Sequence, residues 1–160
     1  MQDKIEVAAV LENLRAQAST RVFAESDDRQ YFVSSSYIED HAVILRILIE
    51  RAIIRRAVSD ILADREGYTV RVWDGEAYAI KSSRDLVEIM GAIMATDSDA
   101  LIIHRPHTEE NRRKLVRVGS MDLVYGNSGW DVISDHADND ETNRLIAGAV
   151  TLADAFSEVM

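Results

Sequence analysis

The stretch YTVRVWDGEAYAIKSS, Tyr68–Ser83, decides the fold. YTVRVW and EAYAIK each alternate with a period of two, the mark of strands whose successive side chains point to opposite faces. Asp74-Gly75 between them is the dipeptide of a tight hairpin turn, because glycine accepts the positive φ such a turn needs. Strands joined this closely are antiparallel, so the sheet is expected to be antiparallel where it begins.

Toward the carboxyl end, Ser82 or Ser83 is expected to cap a helix carrying Leu86, Ile89, Met90 and Ile93, which stops before Thr96-Asp97-Ser98-Asp99. ALIIH (100–104) reads as a short strand that Pro106 terminates. LVRVGSMDLVY (115–125) and WDVISD (130–135) form a second hairpin across Gly126-Asn127-Ser128-Gly129, and Asn139 to about Ser157 reads as a helix. Toward the amino end, Gly67 stops a long helix that starts at the capping-box pair Ser36 and Glu39 and runs to about Asp64. Before it, residues 4 to 18 space Val7, Val10, Leu11, Leu14 and Ala18 as an amphipathic helix. Residues 21 to 34 hold two aromatic and β-branched runs around Ser26-Asp27-Asp28, a hairpin or a loop. The order predicts an α+β domain over 36–160. Its antiparallel sheet of about five strands, two hairpins plus one strand, is packed with helices and preceded by an N-terminal helical extension over 1–35.

The long helix is more apolar than one sheet face requires. VILRILIERAII (43–54) holds nine apolar residues in twelve. Ile44, Ile47, Ile54, Val58 and Ile61 make one stripe, while Leu45, Ile49, Ala52 and Ile53 extend beyond it. Soluble monomers seldom expose a large apolar patch, so this surplus face needs a cover. The N-terminal helix has few large side chains. A second copy of the long helix is therefore the expected cover, making a homo-oligomer seamed by Leu45, Ile49, Ala52 and Ile53.

Composition limits the function. A chain of 160 residues, 47% hydrophobic and 29% charged, can build one sizeable core. It has no cysteine, so disulfides and thiolate metal sites are ruled out and a reducing cytoplasm fits. MQDKIEVAAV lacks the pattern of an export signal, and the most apolar late stretch, LIAGAVTLA (145–153), is far shorter than the roughly 20 residues of a membrane span. No membrane association is expected. With 18 basic against 28 acidic residues the net charge is −10, which disfavours nucleic-acid binding. The acidity reads either as a solubility device or as mimicry of nucleic acid on another protein's basic site.

Three groups of residues are candidates for chemistry. Asp131, Asp135, Asp138, Asp140 and Glu141, with His136 among them, offer hard oxygen ligands for a divalent metal, although their spacing does not fit an EF-hand loop. In the alternative reading, Asp131 and Asp135 share a strand face and Asp138 with Glu141 forms a capping box on the last helix. Arg112, Arg113, Lys114 and Arg117 put four positive charges in six residues, fit for an anionic ligand or an acidic partner, or simply a solvated loop. Trp73 and Trp130 each abut a hairpin turn and are sheet anchors or, beside arginine, walls of a stacking pocket. His104 and His107 are three apart, but Pro106 between them prevents the helical geometry of a shared metal. No nucleophile motif or phosphate-cradling glycine loop occurs.

VWDGEAYAIKSS (72–83) and LVYGNSGWDVISDHADN (123–139), joined by the short helix and the ALII strand, resemble a family of small uncharacterised proteins encoded in bacteriophage and prophage genomes. The resemblance covers roughly residues 67 to 155. It implies an accessory protein expressed in a bacterial cytoplasm and acting against a host system, and it brings no catalytic residue. The resulting expectation is a non-enzymatic protein, without cofactor, that binds a host protein or a small nucleotide-like anion. The alternative is a divalent-metal-dependent hydrolase using the Asp131–Glu141 carboxylates.

Overall fold

The computed structural model describes residues 8–18, 35–106 and 116–160, and over 35–40 the backbone only. Helix α1 covers 8–18, and α2 runs Ser35–Ala63. They are followed by β1 (Thr69–Trp73), β2 (Tyr78–Ser83), α3 (Leu86–Ala92), β3 (Ser98–His104), β4 (Arg117–Val124), β5 (Ile133–His136) and α4 (Asp140–Val159). The two runs within 21–34 and the side chains of the Ser36–Glu39 capping pair lie outside the described residues.

The fold is α+β: five strands in the order β2-β1-β3-β4-β5, with every neighbouring pair antiparallel. The expected hairpin is in place. Asp74 Oδ1 accepts from the backbone N–H groups of Glu76 and Ala77, both at 2.8 Å, and Gly75 takes φ +103°. At the end of α2, Gly67 adopts φ +73° and donates its N–H to the Asp64 carbonyl.

Alternation places Val70, Val72, Leu101, Ile103, Met121 and Leu123 on one sheet face, and all six are fully buried. Helices α3 and α4 pack on that face, and α2 lies across them. α4 docks closely because β4 carries glycine there. A Cβ at Gly119 would come within 2.0 Å of Thr142 Oγ1. Leu11 and Ala18 of α1 join the same core. No described helix is long and apolar enough to cross a membrane.

Leu45, Ile49 and Ile53 are buried within the single chain and Ala52 is partly so. The reason is that α2 is used on several sides. It meets α4 and α3, and the β4–β5 turn lies on it so closely that a Cβ at Gly129 would stand 3.3 Å from Ile49 Cγ2. Three expectations need correction. The cap of α3 is Asp85, whose carboxylate accepts from Val87 and Glu88 N–H, because β2 runs on to Ser83. The cap of α4 is Asn139, whose Oδ1 accepts from Thr142 N–H at 2.8 Å, while Asp138 stands one residue too early. Finally, β5 starts only at Ile133. Trp130 and Asp131 belong to the turn, where Asp131 Oδ1 accepts from the N–H groups of Ser128 (3.0 Å) and Gly129 (3.2 Å), so Asp131 and Asp135 share no strand face.

Candidate functional site

The face of the sheet opposite α3 and α4 carries Thr69, Arg71 and Trp73 from β1, Ala100, Ile102 and His104 from β3, and Ser120 and Asp122 from β4. All are at least partly exposed except Ile102 and His104. Register brings Trp73 beside Tyr78 of β2, where the rings meet edge to face at 4.8 Å between centroids and 68°. The Arg71 guanidinium carbon stands 4.6 Å from the Tyr78 ring centroid, within cation–π range, and Arg71 Nε donates to the Lys81 carbonyl at 2.6 Å. One row further along, Thr69 faces His104, and His104 faces Arg117. Burial, then the charges of Arg71 and Arg117, hold the His104 imidazole below its ordinary pKa of 6.5, so it is neutral at pH 7. Neither arginine forms an ion pair among the described residues.

Two further polar clusters close the ends of the sheet. At the end near Trp73, Glu50 of α2 and Asp99 of β3 are 1% and 5% exposed. Glu50 Oε1 accepts from Gly126 N–H at 2.9 Å and lies 3.6 Å from Arg46 Nε. Asp99 Oδ2 accepts from the Tyr125 hydroxyl and from Met94 N–H at 2.9 Å, the latter pinning Met94 at φ +71°. Glu50 Oε2 and Asp99 Oδ1 are buried without a hydrogen-bond partner. Burial is the main cause that raises the Glu50 pKa above 4.5, with Asp131 adding to it against Gly126 and Arg46. Burial, then the Asp99 carboxylate, also pushes the Tyr125 hydroxyl up.

At the other end, the Tyr68 hydroxyl donates to Glu141 Oε1, and Glu141 Oε2 pairs with Arg105 at 3.1 Å. Arg144 pairs with Asp64 and reaches the Tyr68 hydroxyl at 3.4 Å. These residues, with Glu66 and Asp140, line an open pocket of about 460 Å³. Burial and the Glu141 carboxylate push the Tyr68 hydroxyl up to about 12.

Of the residues singled out from sequence, Trp73 and Arg117 lie on or beside the face opposite α3 and α4, whereas Trp130 packs against the core from the β4–β5 turn. Arg112, Arg113, Lys114 and His107 fall outside the described residues. The metal set does not assemble. Asp131 is engaged by its turn, Asp135 Oδ1 by its neighbour's N–H, Asp138 is displaced from the cap, and His136 Nδ1 lies 3.2 Å from the Ala137 carbonyl. Among the described residues no three His, Asp or Glu side chains are arranged to hold a metal ion. Sequence reasoning missed Glu50, Asp99, Tyr125 and the Tyr68–Glu141 network. Glu50 alone left a trace, as the one carboxylate within the apolar run 43–54. No protein-family model, curated protein or solved structure matches this chain.

Proposed function

We propose that this protein acts by binding rather than catalysis, as a cytoplasmic accessory factor of the phage-encoded kind its sequence resembles. Its ligand is a small anion with a flat ring, a nucleotide-like molecule, taken on the sheet face opposite α3 and α4. The observation that carries this reading is the Arg71–Tyr78–Trp73 group on β1 and β2. On a chain of net charge −10, Arg71, without a carboxylate partner among the described residues, sits over Tyr78 and near Trp73, and Arg117 stands at the far end of the Thr69–His104 row of the same sheet. Guanidinium groups supply charge-assisted hydrogen bonds to an oxyanion, and an exposed ring face stacks on a base. The hydrolase reading loses its support, because the Asp131–Glu141 carboxylates are dispersed to a turn, a strand and a tyrosine.

The reading does not depend on self-association, since the α2 face argued for it is covered within the chain. The test is a thermal-shift and NMR titration with AMP, ATP and ribose. A nucleotide at 100 times its dissociation constant should stabilise the fold by about 2.7 kcal/mol. Ribose should do nothing, and Trp73→Ala should weaken binding. Absence of any nucleotide response at millimolar concentration would overturn the proposal.

A further inference from the structure

Three buried polar atoms on the sheet face opposite α3 and α4 lack partners among the described residues. Thr69 Oγ1 and both ring nitrogens of His104 are shielded from solvent and have no hydrogen-bond partner among the described residues. They belong to directly paired residues, Thr69 of β1 and His104 of β3, so they form one feature rather than scattered defects. A buried donor or acceptor left unmade keeps its full desolvation cost, and native structures seldom gather several in one place without a group to satisfy them.

We infer that Thr69 and His104, flanked by Arg71 and Arg117, form the seat for the ligand's oxyanion, a phosphate group in particular. The inference rests on the reading of the sheet face as the ligand face. Adjacent strands lie about 4.8 Å apart, so the Thr69–His104–Arg117 row spans roughly 10 Å, the width of one phosphate with its hydrogen-bond shell. Arg71 follows Thr69 by two residues on the same face. Its Nε is held by the Lys81 carbonyl, while its terminal amino groups have no partner among the described residues.

The chemistry selects the occupant. Two unpaired guanidinium groups exclude a cation. A water molecule would satisfy the threonine and the imidazole but leave both arginines unbalanced. An oxyanion accepts from the Thr69 hydroxyl, from one imidazole N–H and from both guanidinium groups. The same positive surroundings that disfavour a charge on His104 favour one on the ligand. Because the atoms are shielded, the ligand reaches them only with a side-chain rearrangement, and Arg117, exposed at the start of β4, has the freedom to make one.

The test follows the His104 ring and the Trp73 indole N–H by NMR in the full chain, titrated with sodium phosphate, with AMP, and with sodium chloride at matched ionic strength. Phosphate and AMP should both shift the His104 ring resonances saturably and raise its titration midpoint, since a bound anion stabilises imidazolium. Chloride should not. R117Q, an exposed substitution, should weaken the phosphate response at least about tenfold, and R117K should retain most of it. R71Q serves as the second variant, with amide spectra checking that the β1–β2 hairpin persists. A phosphate response of His104 that is equal in R117Q and R71Q overturns the seat. AMP shifts at Trp73 without any at His104 also overturn it and leave the sheet-face reading standing. Silence at both reporters sinks both proposals.

Discussion

A tyrosine hydroxyl donates to a carboxylate at each end of the sheet, but the surroundings of the two pairs differ. At the Tyr68 end both Glu141 oxygens are engaged, one by the phenol and one by Arg105, and the group borders an open pocket that Arg105 and Arg144 also line. At the Tyr125 end, Asp99 and Glu50 are almost fully buried, and each keeps one oxygen without a partner. Asp99 depends on a hydroxyl and an amide, and Glu50 on an amide and a distant arginine. The same pair of groups is therefore a minor surface tie in one place and a sensitive internal joint in the other. A buried polar group costs most when one partner is withdrawn, whereas water replaces a partner at an open rim.

That contrast predicts a graded series. The largest effect should come from Tyr125→Phe, which leaves a buried carboxylate with one amide donor. Urea denaturation should show a loss of about 3 kcal/mol. A loss under half of that would mean that water reaches Asp99.

The next effect is in the pH dependence, which should have opposite sign at the two ends. Glu50 has a folded pKa raised above 4.5, so its contribution is fully present below 4.5 and is lost as pH rises through the raised value. Asp64 has a folded pKa below 3.8, lowered first by its hydrogen bond from Arg144, so its contribution is present above 3.8 and is lost as pH falls through the lower value. Glu50→Gln should therefore remove a decline in stability on the alkaline side of 4.5, and Asp64→Asn a decline on acidification. Denaturation series from about pH 3 to pH 8 read both slopes. Identical slopes in the two variants would show that the ends are not distinct.

At the open end the effects shrink. Tyr68→Phe should cost about 1 kcal/mol, because Glu141 keeps Arg105 and its freed oxygen faces the pocket. Asn139→Ala should also cost about 1 kcal/mol, since it removes the α4 cap, and Asp138→Ala should stay within about 0.5 kcal/mol. A larger loss at Asp138 than at Asn139 would restore the capping box expected from the sequence.

What was legible in the sequence is what depends on near neighbours. Asp74-Gly75 specifies its turn because Asp74 bonds amides two and three residues ahead and glycine takes the positive φ. The alternation of β1 names the core-facing valines, and Gly67 stops α2 for a reason contained in its own backbone. The caps of α3 and α4 were misplaced by one to three residues because several polar residues in each stretch have the right chemistry, and the point where the preceding strand lets go decides among them. The apolar excess of α2 was legible as a need for cover. Its satisfaction by α3, α4 and the β4–β5 turn was not, since nothing local says which surfaces will meet.

The site residues belong almost wholly to tertiary structure. Glu50 meets Gly126 across 76 positions, Tyr68 meets Glu141 across 73, and Asp99 meets Tyr125 across 26. His104 lost its place in the sequence reading as half of an unworkable metal pair, and gained significance only when strand register set it between Thr69 and Arg117. The sequence alone determined turns, periods and the sign of the overall charge, because backbone conformation and side-chain alternation are set within a few residues. Only the folded chain decided which polar groups are buried together, because desolvation and partnership depend on the packing of distant segments against one another.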